Sequence, residues 1–172
     1  MAAAVLGQAL AMPDNSLNVS SQLFHEGATI PTSAVHSYAG GDNVSPDLAW
    51  TDGPEGTAAY AVACYDPDAP TTVGFTHWLV FNLPATITSL EAGAGGSASP
   101  AGGVSGFTDW GESRYGGMAP PPGDDPHHYQ FSVYALDTAV LPLDAVTTYA
   151  KFRFMIRGHV LASGTLTGRF GT

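Results

Sequence analysis

Residues 58–84 (AAYAVACYDPDAPTTVGFTHWLVFNLP) hold the strongest pattern in the chain: two apolar runs separated by an acidic, proline-punctuated loop. In the first run Tyr60, Val62 and Cys64 alternate with Ala61, Ala63 and Tyr65, with little polar relief on either side, which predicts a strand buried on both faces. The second, Trp78-Leu79-Val80-Phe81, is rich in aromatic and branched residues and predicts another interior strand, ending at Asn82-Leu83-Pro84. Residues 127–136 (HHYQFSVYAL) alternate more cleanly, placing His127, Tyr129, Phe131 and Val133 on one face and His128, Gln130 and Ser132 on the other. Weaker patterns predict an early strand over 17–24, a short strand at 48–50 and a final strand over 159–167. Residues 143–157 read as a helix, with Asp144 as N-cap and Val146, Tyr149, Ala150, Phe152 and Phe154 as its apolar positions.

The stretches between these elements are turn-rich. Residues 40–47 (GGDNVSPD) are dense in residues that accept positive φ or close side-chain turns. Residues 91–106 are almost entirely Gly, Ala and Ser and read as a surface connector. Residues 107–126 carry Trp110, Arg114, Tyr115 and a triple proline with no periodicity, and long aperiodic loops inside compact folds are often functional. The tight turn at Pro120, Pro121 and Pro122 favours a cis peptide bond.

Composition agrees with this mostly-β picture. The chain has 172 residues, 44% of them hydrophobic, with 21 Gly and 13 Pro, which fits one globular domain over 17–172 with many turns. Fifteen Asp and Glu against five Lys and Arg leave a net charge of -10, which opposes nucleic acid and anionic bilayers as partners. The single cysteine, Cys64, lies in an apolar strand, where an inert buried thiol and a reducing, cytoplasmic setting are expected. Residues 1–16 begin with an Ala-rich stretch that lacks the basic residues of an export signal, so a short helix or arm is expected there. No run of apolar residues is long enough to span a membrane. Dimerisation is left open.

Two strands end in polar clusters: Asp66 and Asp68, with His77 at the start of the following strand, and Tyr115 with His127 and Tyr129. Pro67 and Pro70 stiffen the loop carrying the first cluster. If the strands are neighbours, two imidazoles, a phenol and the backbone amides beside Gly116, Gly117 and Gly123 converge on one pocket suited to a small oxyanion, with Asp66 orienting an imidazole and raising its pKa. Taken singly, each residue has an ordinary explanation as a loop cap or a hydrogen-bonded strand end; taken together, their placement favours a site. His77, His127 and Asp66 could supply three zinc ligands, but no HxxxH or CxxC spacing supports a metal. There is no GxSxG elbow and no phosphate-binding glycine motif, which leaves a hydrolase using His77 and Asp66 as a secondary reading.

The segments Asp66-Pro67-Asp68-Ala69-Pro70, His77-Trp78-Leu79-Val80 with Asn82 and Pro84, Tyr115-Gly116-Gly117, Pro120-Pro121, Gly123 and His127-His128-Tyr129, with residues 43–50 (NVSPDLAW) upstream, closely resemble the phosphatidylethanolamine-binding protein family. The resemblance runs from Leu23 to Arg169 and is closest to the bacterial and archaeal, Raf kinase inhibitor-like branch. It implies a large central sheet with a smaller second sheet and few short helices. It also implies a pocket for phosphate or a phosphorylethanolamine-like head group, made by Asp66, Asp68, His77, Ala119, Pro120, Pro121, His127 and Tyr129. The family's kinase-regulating and protease-inhibiting members imply an alternative role as an interaction protein. Met118 stands where bacterial relatives often have proline, and His128 replaces the usual arginine. The sequence continues only briefly past Arg169, without the helix that partly covers the pocket in animal members, so an open pocket is expected. The expected function is binding of a small phosphate-bearing ligand, for regulation or scavenging, with no cofactor or metal and with catalysis disfavoured.

Overall fold

The computed structural model describes residues 15–172, so the arm expected over 1–16 falls almost wholly outside the described residues. Eight strands and one α-helix follow in the order β1 (Val19–Ser20), β2 (Leu48–Trp50), β3 (Ala59–Asp66), β4 (Phe75–Pro84), β5 (Ser89–Leu90), β6 (Val104–Ser105), β7 (His127–Leu136), α1 (Tyr149–Met155) and β8 (Val160–Phe170). They form a five-stranded sheet, ordered β6-β4-β3-β7-β8, and a three-stranded sheet, ordered β1-β2-β5. All of these strand pairs are antiparallel.

The two faces of the large sheet bury different residues. Tyr60, Val62 and Cys64 of β3, with Trp78, Val80, Tyr129, Phe131 and Val133, pack toward the small sheet, where Val19, Leu48, Trp50 and Leu90 meet them. Trp50 stands edge-on to Tyr60 with ring centroids 5.6 Å apart. On the opposite face Ala61 and Ala63 leave room for Leu79, Phe81, Leu136 and the helix residues Phe152 and Ile156. Phe152 stacks on Phe81 and is fully buried, a contribution of about 1.5–3 kcal/mol from removing such a side chain from water. Double burial of β3 and β4 explains why their sequences show no polar alternation.

Several boundaries differ from the sequence pattern. The early strand shrinks from 17–24 to Val19–Ser20 because the Asp47 carboxylate accepts the Gln22 amide at 2.8 Å and the Ser21 hydroxyl at 2.9 Å, diverting the chain from the ladder. The helix begins at Tyr149, with Thr148 rather than Asp144 as its N-cap. Asp144 instead closes a local turn, accepting the Val146 amide and the Thr147 hydroxyl, so Val146 stays exposed, as does Phe154. The last strand runs on to Phe170 because Arg169 and Phe170 continue the ladder opposite His128 and His127. Among the described residues every peptide bond is trans, correcting the expectation of a cis bond at Pro120–Pro122; there the Pro121 carbonyl closes the turn by accepting the Asp124 amide at 3.2 Å.

Candidate functional site

Antiparallel pairing brings the C-terminal end of β3 beside the start of β4 on one side and the start of β7 on the other. Asp66 pairs with Phe75, and Tyr65 pairs with Gln130. His77 sits where the β3–β4 register shifts: Cys64 pairs with Trp78 but Tyr65 pairs with Thr76, so His77 is the extra residue of a bulge. A bulge re-aims the side chain it carries. The His77 ring meets Tyr129 of β7 edge-on at 5.2 Å, on the face where Trp78 is also buried.

Asp66 is the organising carboxylate. Its Oδ1 accepts the amides of Asp68 at 2.8 Å and Ala69 at 3.1 Å, folding the Asp-Pro loop back over the strand end. Its Oδ2 accepts from His127 Nδ1 at 2.8 Å, and both side chains are buried. His127 Nε2 in turn lies 3.3 Å from Oδ2 of the half-exposed Asp124. Burial opposes a charge on His127, but the hydrogen bonds and charges of Asp66 and Asp124 outweigh it and raise the pKa above the ordinary 6.5. His127 is therefore the ring of the site whose surroundings favour the cationic form.

His77 is held differently. Its Nδ1 faces the carbonyls of Gly116 at 2.8 Å and Gly117 at 3.1 Å, which fixes the proton on Nδ1. The Trp110 indole N–H, 3.4 Å from the same nitrogen, then faces another donor and makes a packing contact. Burial lowers the His77 pKa, and the two carbonyls with Asp66 and Asp109 offset this only in part. His77 is thus a neutral ring whose Nε2 is an acceptor, not a second cation. Asn43 supports it from behind: Asn43 Oδ1 accepts the Gly117 amide at 2.7 Å from a left-handed backbone position, φ 57°.

The amides of Gly116 and Gly117 are not a free anion cradle. The Gly116 amide donates to the His77 carbonyl, and the Gly117 amide to Asn43. These glycines are required by close packing: a Cβ on Gly116 would fall inside the Trp110 indole, and one on Gly117 would strike the Ala34–His36 backbone. Trp110 is stacked on His36 with centroids 4.0 Å apart.

Together these elements enclose a cavity of about 240 Å³ lined by Asp66, His77, His127 and Tyr129, by Ala119, Pro120 and Pro121, and by the wall of Ala69, Pro70, Thr71, Phe75 and Trp110. Of the eight residues expected from the sequence, seven line it. Asp68 does not: its Oδ2 accepts the His128 amide at 2.8 Å and pairs with His128 Nδ1 at 2.7 Å in an outer cleft with Asp124, Asp125 and Arg169. Burial raises the Asp68 pKa, but the His128 bonds overcome it and leave the net shift downward. Asp66 also bonds His127 rather than His77, so the His77–Asp66 hydrolytic pair is not the pair the fold assembles. Tyr115, placed in the second cluster, is buried away from the cavity and donates to the Ala34 carbonyl at 2.6 Å. Loop 91–106 is likewise remote; Ser45 pins it through the amides of Gly93 and Gly95. Met118 is core, and its carbonyl accepts the His36 amide.

The Tyr129 hydroxyl is buried without a hydrogen-bond partner, on a residue that lines the cavity. Burial pushes its pKa up, with Asp66 adding to the effect, so it stays a protonated donor. The cavity therefore offers donors from Tyr129 and His127 and an acceptor from His77. Among the described residues no three His, Cys, Asp or Glu side chains are grouped to hold a metal ion, and no helix is long and apolar enough to cross a membrane.

A family model described as phosphatidylethanolamine-binding protein matches residues 20–171. The chain is 43% identical over 157 residues to the UPF0098 protein YbcL of Escherichia coli, covering 88% of this chain and 86% of that protein. It is 41% identical to the UPF0098 protein YbhB of the same organism, covering 90% of this chain and 99% of that one. The crystal structure of E. coli YbcL, described as a new member of the mammalian PEBP family, superposes with a TM-score of 0.86 at 42% identity over 91% of this chain and 99% of that one. A homologue from Chlamydia trachomatis gives 0.79 at 28% identity, over 92% and 99%.

Proposed function

The chain belongs to the phosphatidylethanolamine-binding protein family, and from that premise we propose that its cavity binds a small phosphate-bearing ligand, a free phosphomonoester or a phosphorylethanolamine-like head group. The observation that carries this reading is the Tyr129 hydroxyl, buried and unpartnered in a cavity that also holds the carboxylate-supported cation His127. An unpaired buried hydroxyl costs roughly 1–3 kcal/mol, a cost that a ligand oxygen at this point removes. His127 supplies the charge for a phosphate oxygen, and Tyr129 donates to a second. The neutral His77 Nε2 accepts from a P–OH, which suits the singly protonated form. Ala119, Pro120 and Pro121 with Phe75 and Trp110 form the apolar wall that excludes water from these contacts.

Residues 17–172 act as one binding domain in this reading, in a regulatory or scavenging role. The buried thiol of Cys64 suits a cytoplasmic setting. The test is calorimetry with phosphorylethanolamine on the wild-type protein and on His127→Ala. Binding by the wild type that is lost or weakened at least tenfold in the variant supports the pocket; equal heats for the two proteins remove it.

A further inference from the structure

The charge of the chain is unevenly placed. Against a net charge of -10, three of its five basic residues, Lys151, Arg153 and Arg157, fall in or just after α1, and residues 145–172 hold no Asp or Glu. Among the described residues none of the three is in an ion pair. Arg153 is nonetheless held in place. Its Nη1 donates to the Tyr134 hydroxyl at 2.7 Å and the Tyr149 hydroxyl at 3.4 Å, and its guanidinium lies 5.2 Å and 5.9 Å from the two ring centroids. A guanidinium has five N–H donors, so donors remain for an anion.

The helix covers only part of the outer face of the large sheet, over Leu136 through Phe152 and Ile156. Beside it runs an open groove of about 860 Å³, floored by Ser132 and Thr165, whose hydroxyls bond at 2.9 Å. The groove meets a second recess, of about 510 Å³, at Tyr134, Arg153 and Ser163, and Arg157 lines that recess. Exposed apolar side chains stand at both ends, Val73 at one and Phe154 with Val160 at the other. The one acid lining either recess, Asp109, is engaged by the Thr76 amide at 2.6 Å. We propose that this groove, on the face of the sheet away from the cavity, docks an extended acidic segment of a partner protein. Its carboxylates pair with Arg153 and Arg157, which take them in fork geometry, and its apolar side chains cover Phe154, Val160 and Val73. Arginine beside exposed aromatic rings is also the composition of interface hot spots. The charge of the rest of the molecule decides the occupant. A bilayer or a nucleic acid sets negative charge against a whole side of the protein and meets its acids; a single chain lies within the groove and meets its basic lining.

The experiment titrates the 15N-labelled protein with a synthetic peptide alternating glutamate and leucine, followed by amide shifts, with a peptide alternating lysine and leucine as control. Saturable shifts over residues 148–157 and at Ser132, Tyr134, Ser163 and Thr165, weakening as salt rises and absent with the lysine peptide, support the groove. In Arg157→Glu, at an exposed position, the glutamate peptide should bind about tenfold more weakly, because attraction becomes repulsion. Arg169→Glu lowers the net charge equally from the other cleft and should change binding by less than about twofold. Shifts elsewhere or none, an equal response to the two peptides, or an equal loss in the two variants overturns the proposal. So does self-association in sedimentation, or binding to phosphatidylglycerol vesicles, that Arg157→Glu abolishes: the first gives this face to a second copy of the chain and the second to a bilayer.

Discussion

Asp66 and His127 form a buried ion pair, Oδ2 to Nδ1 2.8 Å, with each side chain only 4% exposed. The same carboxylate closes the 66–69 turn through its other oxygen, so one residue fixes both the loop and the charge state of the ring. In Asp66→Asn the amide oxygen can keep the turn, but the charge that holds the imidazolium is gone. Stability should fall by about 1–3 kcal/mol in urea unfolding. His127 should titrate at a lower pH than in the wild type, read from its ring proton shifts, and phosphorylethanolamine should bind about tenfold more weakly. An unchanged His127 titration would show that another group supports the ring.

His77 and His127 depart from 6.5 in opposite directions, and this fixes the shape of the pH–stability curve. Burial, only partly offset by the Gly116 carbonyl and its neighbours, lowers the His77 pKa. Between that value and 6.5 the unfolded chain holds the extra proton, so stability rises with pH. For His127 burial is overridden by Asp66 and Asp124, so its contribution is complete below 6.5 and is lost as pH rises through the raised value. A maximum near 6.5 is expected in denaturation measured across pH. His127→Gln should flatten the limb above it and leave the limb below.

Tyr129→Phe separates folding from binding. Removing a hydroxyl that is buried without a partner should raise the stability of the ligand-free protein, by up to about 1–3 kcal/mol. Phosphorylethanolamine affinity should fall by about 0.5–1.5 kcal/mol, the net worth of one hydrogen bond. A sharp loss of stability without ligand would mean that the hydroxyl has a structural role.

Asn43 can be dissected with two substitutions. Asn43→Gly keeps the left-handed backbone and loses only the bond to the Gly117 amide, a cost of about 1 kcal/mol. Asn43→Ala adds strain at φ 57° and should cost about 2–3 kcal/mol. Both should weaken ligand binding, because Gly117 carries one of the two carbonyls that orient His77. Thermal unfolding and calorimetry on the pair read both effects.

The alternation in 127–136 was enough to place His127 and Tyr129 on one face, and the double burial of β3 was visible in its unbroken apolar run. Other parts of the site depend on events with no periodic trace. The bulge that turns His77 onto the same face as Trp78 is a one-residue register shift, and strict alternation would have set the two apart. Trp110 and Phe75 reach the cavity wall from loop and strand-end positions whose direction only the tertiary fold decides. Asn43 lies inside a turn-rich segment, where an asparagine suited to positive φ is legible in the sequence; its partner, 74 residues away, is not. Asp68 looked equivalent to Asp66 in the sequence, but a residue two further along a turn is on the other side of it, and His128 was there to meet it. The Gly116 and Gly117 amides are not free donors, because the His77 carbonyl and the Asn43 amide oxygen already accept from them.

Cys64 lies two residues from Asp66 in the centre of the large sheet, between Trp78 and Phe131. It has no exposed surface, and burial with the nearby Asp66 pushes its thiol pKa up. A thiol reagent can reach it only after β3 has left its neighbours, so the labelling rate is a stopwatch for opening of the core. Where reclosing outpaces labelling, a ligand seated at the Asp66 end of the strand slows that stopwatch by the factor one plus its concentration over its Kd. The wild-type chain thus carries its own reporter, and unlabelled compounds can be ranked against the cavity by how long they keep this sulfur silent.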